Sequence, residues 1–227
     1  MLVERYKRNG STISESEQKV LKGKKVLVAG CGGLGGYVIE LLARAGVGTI
    51  GAVDPDIFDV TNLNRQLLSE EKLLGSSKAE AAYRRCAAIN SDITVISRKT
   101  KIDRVNVLEI LDGYDLAVDA LDNIPGRLAL QSGAEKKNIP LVHGAISGWY
   151  GQVSLIEPGD RLFDIIYPEG VDTIVDGTAG NPSFSPAVVA GFQAAEVLKS
   201  LLGKGERLRN KLLYFDLLEN RYQIMNL

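Results

Sequence analysis

The stretch that decides the fold is Lys25-Val26-Leu27-Val28-Ala29-Gly30-Cys31-Gly32-Gly33-Leu34-Gly35-Gly36. A short apolar run with β-branched residues enters a glycine-rich turn. From Leu34 to Ala45 apolar residues recur at helical spacing until Gly46 stops them. The order is therefore strand, loop, helix. Gly30, Gly32 and Gly35 fit the G-x-G-x-x-G pattern in that context, with Gly33 a further glycine inside it. Glycines there let the chain turn tightly, let backbone N–H groups approach a phosphate without a Cβ in the way, and let the helix pack against the strand. The helix amino terminus then faces the anion. Asp54 follows the next predicted strand, Thr49 to Val53, where a carboxylate can accept hydrogen bonds from ribose hydroxyls. These features point to an adenine nucleotide and leave NAD and ATP both open.

Outward from this unit the same rhythm continues. Helices are predicted over Lys78 to Asn90 and Pro125 to Lys137, and strands over Thr94 to Arg98, Leu116 to Asp119 and Leu141 to Ala145. Such alternation predicts an α/β fold, a Rossmann-like doubly wound sheet that is mainly parallel. Upstream, residues 1–22 form a polar arm and a short helix, with Ser14 as N-cap and Glu17 completing a capping box. Downstream, Gly151 to Ile156 is a strand, Glu157 to Pro182 a long loop, Pro186 to Leu202 a helix, and Leu212 to Asp216 and Tyr222 to Met225 closing antiparallel strands. No repeat or linker divides the 227 residues, so one domain is expected: the arm, a nucleotide-binding part over 23–145 and a remainder over 146–227.

Composition removes whole classes of function. With 27 basic and 28 acidic residues there is no electrostatic footprint for nucleic acid or an anionic membrane. Apolar runs are too short for a membrane span, and the charged first ten residues do not resemble a signal peptide, so a cytoplasmic location is expected. The two cysteines, Cys31 and Cys86, cannot supply paired CxxC motifs; no zinc site is expected, and both thiols read as small buried residues.

Three further segments separate the nucleotides: Thr61-Asn62-Leu63-Asn64-Arg65-Gln66, Gly75-Ser76-Ser77-Lys78, and Asp119-Ala120-Leu121-Asp122-Asn123. Each brings useful polar groups to the carboxyl edge of the sheet, where ligands bind in such folds. Arg65 and Lys78 suit a triphosphate, whose charge they neutralise as pyrophosphate leaves, better than a nicotinamide. Asp122 is placed for the Mg²⁺ that accompanies ATP. Singly, each has an ordinary alternative: solvated charge for Arg65 and Lys78, a helix cap for Asp122-Asn123.

The chain resembles the family of ubiquitin-activating-like (E1-like) adenylyltransferases that includes MoeB, ThiF and HesA. The resemblance rests on the GCGGLGG loop, Ala45 to Gly48, Val53 to Asp56, Asn62 to Gln66, Gly75 to Lys78, Asp119 to Asn123 with Arg127, Gly144-Ala145, and Gly151-Gln152; Arg5 to Arg8 resembles the family's entry motif. It implies MgATP binding and activation of the C-terminal glycine carboxylate of a small ubiquitin-like sulfur carrier ending in Gly-Gly, as an acyl adenylate. It also implies roles by position: the loop, Asn62 and Arg65 at the phosphates, Asp54 at the ribose, Lys78 near the α-phosphate, Asp122 at the metal. Gln66 and Asn123 join them as nucleotide contacts, and Arg8 reaches the nucleotide of the partner in a homodimer.

Departures from the family pattern matter equally. Many relatives hold zinc with two CxxC pairs, and this sequence has none. The family's cysteine ahead of the late helix falls near Thr178, which cannot supply a thiolate, so the reaction is expected to stop at the adenylate. His143, the only histidine, reads as structural. Trp149 and Tyr150 either line a groove for the carrier's tail or cap the core. Other readings are an NAD-dependent oxidoreductase, which leaves Arg65, Lys78 and Asp122 unexplained, a non-catalytic E1-like scaffold, and an enzyme adenylating a peptide or tRNA carboxylate.

Overall fold

A computed structural model describes residues 4–167 and 180–227. The chain opens with a 3-10 turn, Glu4–Asn9, and then α1 (Glu15–Gly23), whose Ser14 accepts from the Glu17 backbone while the Glu17 carboxylate accepts from Ser14 N–H. The expected capping box is present. Next come β1 (Lys25–Ala29), α2 (Gly33–Ala45), β2 (Thr49–Val53), α3 (Lys78–Ile89) and β3 (Thr94–Arg98). Gly46 ends α2 in the left-handed conformation at φ 83°, the C-cap that only glycine adopts at little cost. A short helix α4 (Val107–Ile110) precedes β4 (Leu116–Asp119), α5 (Ile124–Lys137) and β5 (Leu141–Ser147).

The remaining elements are β6 (Tyr150–Ile156), α6 (Leu162–Ile166), α7 (Phe184–Leu202), β7 (Lys211–Asp216) and β8 (Arg221–Asn226). All eight strands join one sheet in the order β3-β2-β1-β4-β5-β6-β7-β8. The first five are parallel and the last three antiparallel, as the sequence pattern predicts. Strand order reverses between β1 and β4, the switch point at which ligands sit outside the carboxyl ends of such sheets.

Alternation along β1 fixes the layers. Val26 and Val28 join Ile50, Leu116, Val118 and apolar side chains of α1, α2, α3 and α7 on one face. Leu27 and Ala29 join Val53, Ala117 and those of α4, α5 and α6 on the other. Both faces are covered, which is why the parallel strands read as continuous apolar runs.

Apart from α4, which the sequence pattern does not predict, and ends that move by one residue, three places differ from the sequence expectation. The segment expected as a loop from Glu157 contains α6, because Leu162 and Phe163 find burial in the second cluster. Helix α7 starts at Phe184, which leaves Pro186 within its first turn, where a missing N–H costs nothing. Strands β5 and β6 run on to a tight hairpin at Gly148-Trp149, with Gly148 at φ 56°.

Candidate active site

The turn after β1 shows which glycines the chain itself requires. Gly30 lies at φ 95°, and a Cβ there would stand 2.5 Å from the Ala120 carbonyl oxygen; one on Gly35 would stand 1.8 Å from the Gly30 oxygen. These two are demanded by packing. Gly32 and Gly33 differ: a Cβ would meet only ordinary contacts, Gln66 at 3.6 Å and Pro186 at 3.7 Å. Nothing among the described residues requires glycine at these two positions, and both line a cleft of about 420 Å³. A cradle that a Cβ would fill is what a phosphate approaching the backbone needs.

The same cleft collects Gly30, Asp54, Asp56, Arg65, Gln66, Lys78, Asp122, Asn123 and Arg127 from five stretches of sequence. Asp54 is 5% exposed; its Oδ2 accepts from Cys31 N–H (2.7 Å) and its Oδ1 from Asp56 N–H (2.8 Å). It tethers the glycine turn to the end of β2. Burial raises its pKa, and the two N–H bonds work against that rise. Lys78 is the first residue of α3 and 7% exposed, and its Nζ lies 3.0 Å from Oδ2 of the exposed Asp56. Arg65 donates through Nη1 to Thr61 C=O (2.9 Å) and Asn64 Oδ1 (3.0 Å). Gln66 is 7% exposed, and its Oε1 has no hydrogen-bond partner among the described residues. A buried, unpartnered carboxamide oxygen beside the glycine turn is open to a ligand donor.

Asp122 is exposed; its Oδ1 accepts from Asn123 Nδ2 at 3.2 Å. Asn123 caps α5 by accepting from Gly126 N–H at 2.9 Å, so the helix-cap alternative holds for Asn123 alone. Among the described residues no group of three His, Cys, Asp or Glu could hold a metal ion. An exposed carboxylate such as Asp122 beside a phosphate cradle fits Mg²⁺, which takes one or two carboxylates and completes its shell with phosphate oxygens and water.

Not every expected residue reaches the cleft. Gly35 lies behind the turn in a packing role, and Asn62 is buried off the lining, its Oδ1 accepting from Asp59 N–H at 3.1 Å to cap a 3-10 turn. Arg8 is exposed and does not line the cleft. Its neighbours Arg5 and Tyr6 bond Ile89 C=O (3.2 Å) and Asn90 Nδ2 (2.8 Å) at the carboxyl end of α3. Lys78 stands at the other end of that 12-residue helix, a span of roughly 18 Å at 1.5 Å per residue. Thr178 lies outside the described residues. Trp149 and Tyr150 are both exposed, packed on Phe184 (4.5 Å between centroids) and Tyr214 (5.9 Å), and neither lines the cleft.

Sequence reasoning assigned nothing to Asp56 or to the lining pair Ile146 and Ser147. Asp56 had a signal, two residues from Asp54 in Val53-Asp54-Pro55-Asp56. The thiols are buried; burial raises Cys31, and pushes Cys86 up to about 12.

A doubly wound sheet with a glycine cradle and the cationic side chains of Arg65, Lys78, Lys101 and Arg127 at its switch point defines a nucleotide-binding α/β protein with a rim suited to a triphosphate. Residues 6–227 match the model of the ThiF family, and the chain belongs to that family. It is 40% identical over 217 residues to the sulfur carrier protein adenylyltransferase of Thermus thermophilus, covering 91% of this chain and 79% of that one. It is 34% identical over 226 residues to the SAMP-activating enzyme E1 of Haloferax volcanii, covering 97% and 84%. It spans only 44% of a Zea mays adenylyltransferase and sulfurtransferase MOCS3. Among solved structures, E. coli MccB with ATP superposes with a TM-score of 0.83 at 26% identity, over 99% of this chain and 71% of that one. No helix among the described residues is long and apolar enough to cross a membrane.

Proposed function

We propose that the chain is an ATP-dependent adenylyltransferase that activates the C-terminal glycine carboxylate of a small ubiquitin-like sulfur carrier. The observation that carries this is the meeting of an open glycine cradle, Arg65, Lys78 and Asp122 on one cleft. Relatives named for sulfur-carrier and SAMP activation supply the substrate class.

A carboxylate oxygen of the carrier attacks the α-phosphorus in line; the new O–P bond forms as the bond to the bridging oxygen breaks and pyrophosphate leaves. The carboxylate is already ionised at neutral pH, so no general base is needed. The chain contributes positioning and charge. Amides of the Gly32-Gly33 turn cradle phosphate, and Asp54 faces the ribose. Lys78 exchanges Asp56 for phosphate oxygens. Arg65 leaves a carbonyl and an amide oxygen, both neutral, for an anion, a gain in charge-assisted hydrogen bonding. Asp122 would hold Mg²⁺, which when bound would add positive charge beside the phosphates.

In this proposal the whole chain is one adenylation domain, its part after residue 145 serves carrier and dimer contacts, and the protein works as a homodimer. An arm pinned at the far edge of the sheet keeps Arg8 from its own cleft, which supports its acting on the partner's nucleotide. Two free, buried thiols suit a reducing cytoplasm and a reaction that ends at the adenylate. The test is ATP–pyrophosphate exchange. Exchange is expected only when a carrier with a free terminal glycine carboxylate is added. Binding of NADH without ATP binding would overturn the proposal.

A further inference from the structure

Beneath the cleft lies a buried polar network that the reaction as described leaves unused. Asp119 ends β4 with a fully buried carboxylate. Its Oδ1 accepts from Leu121 N–H at 3.0 Å, and its Oδ2 lies 2.7 Å from His143 Nδ1 and 3.4 Å from Arg127 Nε. Arg127, 3% exposed, turns elsewhere: Nε and Nη2 donate to the Leu121 carbonyl at 3.1 and 2.6 Å, and Nη1 donates to the Tyr167 hydroxyl. Leu121 is thus clamped at both its N–H and its C=O by the two halves of one ion pair. The next residue is Asp122.

His143 stands opposite Asp119 in the β4–β5 register, fully buried, with the Phe163 ring edge-on at 5.0 Å. Burial, helped by the Arg127 charge, holds its pKa below the usual imidazole value and so keeps the ring neutral, although the Asp119 bond opposes this. Gln152 Nε2 lies 3.0 Å from His143 Nε2 and can only donate, so the ring proton belongs on Nδ1, aimed at Asp119.

We infer that His143 is a positioning residue for the nucleotide site, acting through Asp119 and Arg127 on the peptide that carries Asp122. Its Nδ1–H saturates Asp119 Oδ2, and Arg127 is thereby left to hold the Leu121 carbonyl. Without that donor, a buried carboxylate 3.4 Å from a guanidinium draws it into a bidentate pair, and the Leu121 carbonyl loses its clamp. This rests on Asp122 as the Mg²⁺ ligand proposed above.

The probes are AMPPNP binding by calorimetry as Mg²⁺ is varied, and the amide signals of Leu121 and Asp122 by NMR. His143→Leu keeps bulk and removes the donor; His143→Asn keeps a donor near the Nδ1 position. His143→Leu is expected to raise the Mg²⁺ needed for half-maximal binding by about 10–100-fold, the scale for partners that orient a metal ligand, and to shift both amides. His143→Asn should restore most of both. Wild-type Mg²⁺ dependence and unmoved amides in His143→Leu would overturn the inference, as would an Asn variant no better than the Leu variant.

If His143→Leu does not fold, Gln152→Leu frees the imidazole to change tautomer, which the ring signals report cleanly because the chain has one histidine. Tautomer and Mg²⁺ demand that move together, or that both stay as in the wild type, support the inference, and either one moving without the other overturns it. Wild-type AMPPNP binding that ignores Mg²⁺ would remove the role of Asp122 instead, while the amide shifts still decide whether His143 holds Leu121.

Discussion

The two edges of the sheet use their polar groups in opposite ways. At the amino edge the chain closes on itself. Gln18 Nε2 donates to Ala45 C=O (2.8 Å), Asn90 Nδ2 donates to both Tyr6 Oη (2.8 Å) and Ala43 C=O (2.7 Å), and a Cβ on Gly48 would sit 1.8 Å from the Lys22 carbonyl oxygen. At the carboxyl edge three groups on the cleft have partners that are exchangeable or missing. Lys78 rests on an exposed carboxylate, Arg65 on neutral oxygens, and Gln66 Oε1 on none of the described residues. The amino edge holds the fold, and the carboxyl edge holds groups whose best partners are a ligand's. Stability and activity should therefore separate by edge when single residues are changed.

The largest effect belongs to the carboxyl edge. Arg65→Ala and Lys78→Ala should each lower ATP–pyrophosphate exchange by on the order of 10² or more, the scale for removing one charge-stabilising donor. The Arg65 variant should melt with the wild type, since it gives up only partly exposed bonds. Calorimetric melting beside exchange rates checks the separation; a large fall in Tm for Arg65→Ala would break it.

Arg8 tests whether the closed edge of one subunit serves the open edge of another. Arg8→Ala and Arg65→Ala should each be nearly inactive alone, yet mixed subunits should regain activity. Half of randomly reassorted dimers are mixed, and each has one site with both arginines, so about a quarter of wild-type sites return under two-fold symmetry. Recovery of differently tagged chains together shows that subunits exchange. Exchange without regained activity would confine Arg8 to its own chain or to no role.

How much of this was legible in the sequence follows the same division. Strand, turn and helix around Gly30 are written locally, because alternation and glycine spacing lie within one window. The Ser14–Glu17 box spans four residues and forms as expected. By contrast, the Asp119, Arg127 and His143 network joins β4, α5 and β5, and no short window contains it. Asn62 shares a segment with Arg65, yet its carboxamide caps a turn; which side chain of a loop faces the cleft is decided by loop geometry. Helix α6 has five residues, too few for a periodic signal, and forms because Phe163 is buried.

At the amino edge, Asn90→Ala deletes bonds to Tyr6 and Ala43 from a residue 1% exposed. Stranding those partners should cost about 1–3 kcal/mol, read from the urea midpoint. A midpoint equal to the wild type would mean that the arm is not a fixed part of the fold.

The exchangeable pair at the cleft sets a smaller effect. Asp56→Asn removes the charge that occupies Lys78 before ATP arrives. The pair is half exposed, so its release is worth about 0.2–1 kcal/mol, up to roughly fivefold tighter AMPPNP binding. Weaker binding would show that Asp56 positions Lys78 rather than competing for it.

The smallest effect is a pH dependence at the amino edge. Glu17 accepts from Lys204 Nζ at 2.8 Å, tying α1 to the turn after α7, and also serves the capping box at Ser14. The Lys204 bond first, and the Ser14 N–H second, hold its pKa down at about 2 from an ordinary 4.5. A carboxylate held low in the folded state adds stability that is fully present above its unfolded pKa and is lost as the pH falls toward the folded one. Glu17→Gln should thus be slightly less stable than the wild type at about pH 6, and the gap should close as the pH falls from 4.5 toward 2. Salt should narrow the gap at about pH 6 as well, because the pair is partly solvated and screened. Urea midpoints of both proteins across that range check this. A gap that stays constant with pH would assign the contribution of Glu17 to its shape and neutral hydrogen bonding, and would take charge out of the account of how the amino edge closes.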